Sequence, residues 1–213
     1  MKLGHVIHKV DDLERAVADY TEKGFTVEYG RAKKPYNALI YFAEGPYYEL
    51  LGSTGMPSFA KRLLRFSGKK GFIDRLDAWD ASPEGLIGLA LENDRLDVDL
   101  EQRILDEAGL TYFKGQSGRT DAKGRKIKFR GMFPDDMQLP ILSSTFNVNV
   151  RPPADYAHPN GARRIKHVAY GTRVELFPVL RALCDDEGLT LFEGEGVADV
   201  EFEYVAASSD AAS

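Results

Sequence analysis

The sequence contains very little of several features that would assign the protein to a broad class. Only one of its 213 residues, Cys184, is a cysteine, so the chain cannot form an internal disulfide. This is typical of a reducing compartment, and we expect a cytoplasmic location. No apolar run approaches the roughly 18 residues of a membrane span, and the N-terminus lacks the apolar core of a signal peptide. We therefore expect neither a membrane partner nor a secretory leader.

Basic residues are not in excess either. The chain carries 28 Lys and Arg against 33 Asp and Glu, which gives a formal net charge of −5. Proteins that bind nucleic acid usually show a concentrated basic surface, so no nucleic-acid partner is expected. The sequence also lacks a Gly-x-Gly-x-x-Gly segment, which argues against a dinucleotide site. A hydrophobic content of 43% is enough for a globular protein with a buried core.

An internal repeat is the most informative feature that is present. A glycine, an apolar residue, a threonine, three further residues and a second glycine occur at 24–30, 109–115 and 188–194. Each copy follows an amphipathic helix pattern, and each helix pattern follows an apolar strand. Repeats of this kind indicate structural units that pack against one another. The strands that follow each helix are joined by short turns, which favours antiparallel neighbours over a doubly wound parallel sheet.

The predicted fold class is therefore α+β, built from repeated β-α-β-β-β modules with an incomplete third module. After the first two helices, strands are predicted at 25–31 and 111–115, and the third helix at 174–187. The predicted divisions of the chain are a first module at 1–54, a helical insert at 55–84, a second module at 85–150, an incomplete third module at 160–206 and a disordered tail at 207–213. The insert shows basic residues alternating with apolar ones at helical spacing, and we expect its apolar stripe to pack on the sheets or form a lid.

Short segments of the first module resemble the vicinal oxygen chelate superfamily, which includes glyoxalase I, extradiol dioxygenases and methylmalonyl-CoA epimerase. Residues 3–6 (LGHV) and 10–13 (VDDL) resemble its first strand and helix start, and 47–51 (YYELL) its fourth strand. The third module and 158–161 (HPNG) resemble its glyoxalase-like domain proteins. The resemblance covers most of the chain except 55–84. It implies that two modules pair into a U-shaped, partly open barrel sheet around a cavity.

The resemblance also implies a divalent metal, whose ligands come from the first and fourth strands of each module. His5 and Glu49 match these positions in the first module. Strand alternation places Leu3, His5 and Ile7 on one face of the first strand, and Tyr47 and Glu49 on one face of the fourth. An imidazole and a carboxylate suit Fe, Mn, Ni or Zn. In the enzymes of the superfamily the metal holds neighbouring substrate oxygens, and Glu49 is the candidate catalytic base for a proton next to a carbonyl.

The second module lacks matching ligands. Gly88 or its neighbours take the place of His5, and Ser143 and Ser144 stand where a carboxylate would be expected. Two protein ligands make a weak site, since catalytic zinc usually has three. The third module offers His167 on its own first strand, so a site of His5, Glu49 and His167 is one hypothesis. A hydrogen-bonded His167 in a supporting strand is the other.

Three functions remain open from the sequence, and one of them is a structural scaffold whose cavity is filled by side chains. The other two involve a small molecule. One is a divalent-metal-dependent enzyme of the lyase, isomerase or dioxygenase type with a degenerate metal site. The other is a metal-free protein that binds a small molecule, such as a drug or metabolite, in its cavity. In both cases Asn37, Tyr47 and Ile7 are the predicted ligand-binding residues. A homodimer is expected from the resemblance.

Overall fold

Two β-sheets organise the chain. In the computed structural model, which describes residues 1–205, an eight-stranded sheet curls around a cavity and a three-stranded sheet packs outside it. The predicted tail at 207–213 lies outside the described residues. The elements are, in chain order, β1 (Lys2–Lys9), α1 (Leu13–Glu22), β2 (Glu28–Tyr29), β3 (Asn37–Ile40), β4 (Tyr47–Leu51), α2 (Ser58–Phe66), α3 (Lys70–Ala81), β5 (Gly85–Glu92), α4 (Asp99–Glu107), β6 (Tyr112–Thr120), β7 (Lys126–Pro134), β8 (Ile141–Ser143), β9 (Ala162–Thr172), α5 (Phe177–Leu183), β10 (Leu189–Glu193) and β11 (Gly196–Tyr204), with a 3₁₀ turn at Val174–Leu176.

The strand order confirms the predicted α+β fold with paired modules. The large sheet runs β2-β3-β4-β1-β5-β8-β7-β6, so each complete module contributes four adjacent strands in mirrored order. The two modules join where β1 pairs antiparallel with β5. In each module the first strand lies parallel to the fourth, and the other pairs are antiparallel. The third module contributes only β10-β9-β11, which form the separate sheet.

The repeated glycines have identifiable structural causes. Gly24 and Gly109 follow α1 and α4 with φ of 80° and 67°, a left-handed conformation in which glycine avoids the strain of a side chain. Gly188 differs, because a Cβ there would lie 2.8 Å from the carbonyl oxygen of Lys166. The N-cap of α1 is Asp12, whose side chain accepts a hydrogen bond from the backbone N–H of Arg15, as the sequence pattern predicts.

The large sheet curls until its two edges meet. Strands β2 and β6 are at opposite ends of the strand order, yet Glu28 forms a 2.6 Å ion pair with Lys123 in the turn after β6. Near the same edge, Arg119 of β6 donates from Nη2 to the hydroxyl of Tyr41, which follows β3, at 2.9 Å. These contacts bring the second module's edge strand next to the first module and close one side of the cavity.

An irregularity in β1 changes the faces that simple alternation predicts. The pairing of β1 with β5 shifts between Leu3 and His5, which pair with Leu91 and Ala90. Leu3 therefore packs into the helix-side core, whereas His5 lies on the cavity side. Strict alternation placed both on one face, so that detail was wrong. A bulge of this kind redirects a side chain without ending the strand.

The main core lies between the outer face of the large sheet, the helices and the second sheet. It includes Val6, Val10, Leu50, Leu89, Leu105, Ile165 and Val168. Segment 158–161 joins the third module to the first, because Asn160 donates its backbone N–H to the carbonyl oxygen of Gly24 and its Nδ2 to that of Lys23.

The insert is helical as predicted, but its first helix packs differently. Helix α3 lies inside the curl, with Phe72, Ile73 and Leu76 buried against the sheet. On α2, by contrast, Phe59, Leu63 and Phe66 are 77%, 70% and 81% exposed, so this apolar stripe does not pack on the sheets. In the part of the chain that the structure describes, every helix is too short or too polar to cross a membrane.

Several predicted element bounds were wrong. Strand β2 covers only Glu28–Tyr29 of the predicted 25–31, and β6 runs to Thr120, five residues beyond the predicted end. The third helix ends at Leu183, and Cys184 already has extended backbone angles. The longer β6 is the important difference, because it extends the second module's edge far enough to place Arg119 at the cavity.

Candidate functional site

The curled sheet encloses a cavity of about 530 Å³ on its inner face. Both complete modules line it, and α3 with the start of α2 lies across one side. The lining residues that the following paragraphs use are His5, Ile7, Arg31, Tyr36, Asn37, Tyr47, Glu49, Phe72, Trp79, Ser117, Arg119, Phe129, Gly131, Phe133 and Ser143. The five sequence-predicted residues of the first module therefore lie together in one cavity.

Strand register brings the first-module residues together. Strands β1 and β4 are parallel, and His5 pairs with Tyr47 while Ile7 pairs with Glu49. The His5 imidazole stacks on the Tyr47 ring, with ring centroids 4.5 Å apart and planes 17° from parallel. Asn37, on the neighbouring strand β3, lies diagonally across from Glu49 and reaches it with its side chain. All of these side chains point to the inner face.

Glu49 is held at one oxygen and open at the other. Its Oε1 accepts a 2.7 Å hydrogen bond from Nδ2 of Asn37, and its Oε2 lies 3.5 Å from Nε2 of His5. The side chain is only 13% exposed, and this burial raises the pKa of the Glu49 carboxyl although the Asn37 hydrogen bond and the charge of Arg119 oppose the shift. Burial therefore favours the protonated form of the Glu49 carboxyl more than exposure to solvent would.

His5 is a neutral imidazole in this site. Burial, together with the positive charge of Arg119, lowers the pKa of His5 to about 3. Its Nδ1 is shielded from solvent and has no hydrogen-bond partner among residues 1–205. Because the ring is neutral, one nitrogen can donate a hydrogen bond and the other can accept one.

Arg119 supplies the second module's only charged group in the cavity lining of the described chain. Its Nη2 donates to Tyr41, and its guanidinium lies over the Phe146 ring, 5.6 Å from the centroid. Burial lowers the pKa of Arg119, but Tyr41, Tyr47 and Glu49 nearby more than compensate and raise it above its ordinary value. The group therefore remains a cation. The sequence reasoning missed it.

Aromatic and aliphatic side chains form the rest of the cavity. Phe72 packs against Phe133, with ring centroids 4.7 Å apart, and Trp79 and Ile7 belong to the same buried cluster. Gly131, on β7 between β6 and β8, also lines the cavity, and a Cβ there would lie 3.2 Å from the Phe133 ring. A cavity lined by both hydrogen-bonding groups and apolar side chains suits an amphipathic small molecule.

The structure does not bring His167 to this cavity. His167 lies on β9 of the three-stranded sheet, and its Nε2 is 2.8 Å from Oγ1 of Thr190 on β10. It borders a separate cleft lined by charged residues such as Arg164 and Glu201. The second hypothesis from the sequence, a hydrogen-bonded histidine in a supporting strand, describes this position.

The donor set in the cavity does not fit a resident divalent metal. Across from His5 and Ile7, strand β5 offers only Ala90 and Gly88, and Ser143 donates its hydroxyl to the carbonyl oxygen of Ser144. Within residues 1–205, no three His, Cys, Asp or Glu side chains are grouped so that they could hold a metal ion. A guanidinium in the same cavity also repels a divalent cation. We therefore derive no chemistry through a metal.

The missed arginine could have been found from strand alternation. If β6 is extended past Gly115, then Phe113, Ser117 and Arg119 share one face, and this face lines the cavity. The sequence signal for stopping at Gly115 was the second glycine of the repeat. Glycine weakens a strand but does not end it.

Comparison with known proteins gives a family and a fold. A family model described as glyoxalase-like domain matches residues 3–178. A hypothetical protein from Staphylococcus aureus has a similar structure, with a TM-score of 0.67 and 16% identity over 98% of this chain and 93% of that chain. The Mn(II)-bound glyoxalase from Novosphingobium aromaticivorans gives a TM-score of 0.50 and 15% identity over 85% of this chain and 52% of that chain. Among curated proteins, no match was found. At these identities the solved structures show a shared fold.

Proposed function

The chain belongs to the glyoxalase-like domain family, within the vicinal oxygen chelate superfamily, and we propose that it binds a small organic molecule in the cavity between its two complete modules. The ligand has an oxygen-bearing polar end and an apolar body. One observation carries this proposal: the hydrogen-bonding side chains of His5, Asn37, Glu49 and Arg119 line the same cavity as the apolar side chains of Phe72, Trp79 and Phe133.

The polar side chains of the cavity lining support recognition of the ligand without a metal. His5 is neutral, Arg119 is a cation, and burial raises the pKa of the Glu49 carboxyl. Nδ1 of His5 and Nε of Arg119 are shielded from solvent and have no partner among the described residues. Shielded polar atoms without partners are destabilising, so ligand oxygens that complete these hydrogen bonds would be favoured.

The apolar side chains of the cavity lining contribute to the binding affinity. Phe72, Trp79 and Phe133 present ring surface to the cavity. Each 100 Å² of ligand apolar surface removed from water contributes about 2.5 kcal/mol, or roughly 70-fold in affinity, before the entropic cost of binding. A cavity of about 530 Å³ lies within the usual range for small-molecule sites.

A second candidate function is proton transfer by Glu49, which its raised pKa favours. In this function the Glu49 carboxylate removes a proton from a carbon next to a carbonyl of the bound molecule. Arg119 and His5 donate hydrogen bonds to the resulting enolate oxygen, and the same carboxyl returns a proton to carbon. The test is exchange of that hydrogen for deuterium in D₂O, followed by NMR. Exchange that Glu49→Gln abolishes would support catalysis; without exchange, the binding function stands alone.

The binding proposal is tested by filling the cavity from a tolerant position. Ser117 on β6 lines the cavity but is an exposed residue, so Ser117→Trp adds a ring there without removing a core side chain. Gln116→Trp is the matched control, because the adjacent residue is also exposed and points to the other face. A panel of aryl ketones, phenols, aryl amides and aryl acids is screened by ligand-observed NMR.

We expect panel members to bind the parent and the Gln116→Trp control, and to lose binding in Ser117→Trp. If no panel member binds, or if Ser117→Trp binds as well as the control, the cavity is not the binding site and the proposal is wrong. The expected cytoplasmic location, the homodimer and the absence of nucleic-acid and membrane partners stay predictions.

A further inference from the structure

We infer that the polar end of the ligand is a carboxylate and that Arg119 binds it. This inference rests on the proposed small-molecule function and deepens it, because it assigns the ligand to one chemical class, the aryl or branched-alkyl carboxylic acids. It depends on the position of Arg119 in the fold, on the groups that surround its guanidinium and on the shape of the cavity.

Among residues 1–205, no carboxylate pairs with the guanidinium of Arg119. Its one protein hydrogen bond in the described chain is to the Tyr41 hydroxyl, a neutral group. Its Nε is shielded from solvent and has no partner within residues 1–205. Arg125 differs from it, because it donates from Nε to Oδ2 of Asp121 at 2.6 Å. A partly desolvated cation without an ion pair is energetically unfavourable unless a ligand supplies the missing negative charge and hydrogen-bond acceptors.

Glu49 does not fill this role. Its Oε1 is already bonded to Asn37, and its Oε2 faces His5 at 3.5 Å. The carboxyl influences Arg119 through its charge but makes no ion-pair contact with it.

The charges around the cavity favour an anion. Two guanidinium groups, those of Arg31 and Arg119, line it against one carboxyl group, that of Glu49, whereas the whole chain carries −5. Arg31 is placed by its contact with the Tyr36 ring, 4.4 Å from the centroid. The cavity is therefore locally positive within an acidic protein, which attracts organic anions and concentrates them there.

The geometry of a single planar guanidinium selects a carboxylate. Its Nε–H runs parallel to an Nη hydrogen, so one edge can donate to both oxygens of a carboxylate. The ring of Phe146 beneath the guanidinium restricts its rotation and fixes that edge. Beyond the anion, Phe129 and Phe133 on the adjacent strand β7 form the wall that an aryl or branched-alkyl body would contact.

The test compares acids with their neutral amides, which have nearly the same shape. Benzoate, phenylacetate, 3-phenylpropionate and 4-phenylbutyrate are titrated beside the four corresponding primary amides by NMR at low ionic strength. The proteins are the parent, Arg119→Gln, Arg119→Lys and a control, Arg130→Gln. Arg130 lies on β7 and is exposed, and its removal changes the net charge by the same amount outside the cavity. Thermal melts check that each variant is folded.

We expect at least one acid to bind the parent about tenfold or more tightly than its amide, as a charge-assisted bidentate contact predicts. Arg119→Gln should abolish this preference, because it should weaken the binding of the acids much more than that of the amides. Arg119→Lys should keep part of the preference, because it keeps the charge but loses the planar edge. Arg130→Gln should behave as the parent does.

The opposite results overturn the inference. The inference is wrong if acids and amides bind the parent equally, if the amides bind it more tightly, or if neither series binds it. It is also wrong if Arg119→Gln weakens the binding of both series equally. These results leave the proposed function intact if neutral members of the panel of aryl ketones, phenols and aryl amides bind the parent and lose binding in Ser117→Trp. If that panel also fails to bind, the proposed function itself is wrong.

Discussion

The side-chain amide of Asn37 donates from Nδ2 to Oε1 of Glu49 at 2.7 Å, and this contact decides which oxygen of the buried carboxyl faces the rest of the cavity. The amide is itself held by its surroundings. Its Oδ1 lies against Gly30, where a Cβ would come within 2.1 Å of it, and the backbone N–H of Gly30 donates to the Asn37 carbonyl oxygen. A glycine two strands away thus fixes the orientation of Glu49.

Gly30→Ala should therefore disturb the site through Asn37. The three atoms nearest to the added Cβ all belong to the Asn37 side chain, so the amide must move away from Glu49. We expect a loss of about 1–3 kcal/mol in the free energy of unfolding. In an Asn37→Ala background the same change should be neutral or stabilising by a few tenths of a kcal/mol, because Gly30 is outside the left-handed region and alanine restricts the unfolded chain.

Urea unfolding of the parent, both single variants and the double variant measures this coupling. If the two changes add without interaction, Gly30 does not act through Asn37.

Glu49→Gln should change how stability depends on pH. The folded state binds the Glu49 proton more tightly than the unfolded state, because burial raises the folded pKa above its ordinary value of 4.5. The parent therefore loses stability as pH rises from about 4.5 towards the raised folded pKa, where the unfolded state ionises first. Glutamine removes this loss. The stability of the variant relative to the parent should be greater at pH 8 than at pH 4 in thermal melts, and a constant difference would contradict the raised pKa.

His5→Gln should act in the opposite pH range and direction. The folded state holds His5 neutral, with a pKa lowered by burial to about 3, against an ordinary value of 6.5. Between these values the unfolded state binds the proton, so the parent loses stability as pH falls. The variant should gain relative to the parent as pH is lowered from 7 to 4. Burial also lowers the pKa of His8 and His158, and both are present in parent and variant, so the difference isolates His5.

The first half of the site could be predicted from the sequence, because it depends on local rules. Alternation along one strand puts His5 and Ile7 on one face, and a short fourth strand does the same for Tyr47 and Glu49. The repeat then predicts that a second module faces the first. These are short-range patterns, and a single bulge at Leu3 was enough to displace one residue from its expected face.

The second half could not be predicted in the same way. Arg119 reaches Tyr41 because eight strands curl until β6 approaches β3, and a curl of this kind accumulates from strand twist over the whole sheet. No local pattern contains that information. The position of His167 was undecided for the same reason, since module repeats do not say which modules pair. The third module instead forms its own sheet behind the first.

Metal addition gives a direct test of the donor set. With His5 and Glu49 as the pair of candidate ligands and a cation in the same cavity, we expect Mn, Fe, Ni and Zn to bind well below one equivalent per chain at micromolar concentration. Elemental analysis after dialysis, with the parent beside His5→Ala and Glu49→Ala, measures this. One tightly held equivalent in the parent that both variants lose would overturn the metal-free reading of the cavity.

If Arg119 is present to bind a ligand, it should contribute little to the free energy of unfolding. Replacing it tests this expectation. Among the described residues, Nε of Arg119 has no hydrogen-bond partner and the guanidinium forms no ion pair. Arg119→Met therefore removes a desolvated cation and only one hydrogen bond, the one to the neutral hydroxyl of Tyr41. Methionine also fills similar space in an aromatic cavity. We expect the free energy of unfolding of Arg119→Met to stay within about 0.5 kcal/mol of that of the parent or to exceed it.

Arg75→Met is the matched control, because that arginine has a structural role. Arg75 is buried on α3, and its Nη2 donates to the carbonyl oxygens of Pro134 and Asp136 at 2.9 and 2.8 Å. Its replacement removes both of these charge-assisted hydrogen bonds and leaves the Asp136 carbonyl oxygen with the backbone N–H of Leu139 as its donor, which should cost about 2–4 kcal/mol. Urea unfolding of both variants without ligand gives the comparison. If Arg119→Met is destabilised as much as Arg75→Met, then Arg119 holds the fold together, and its open Nε is not a sign of a binding site.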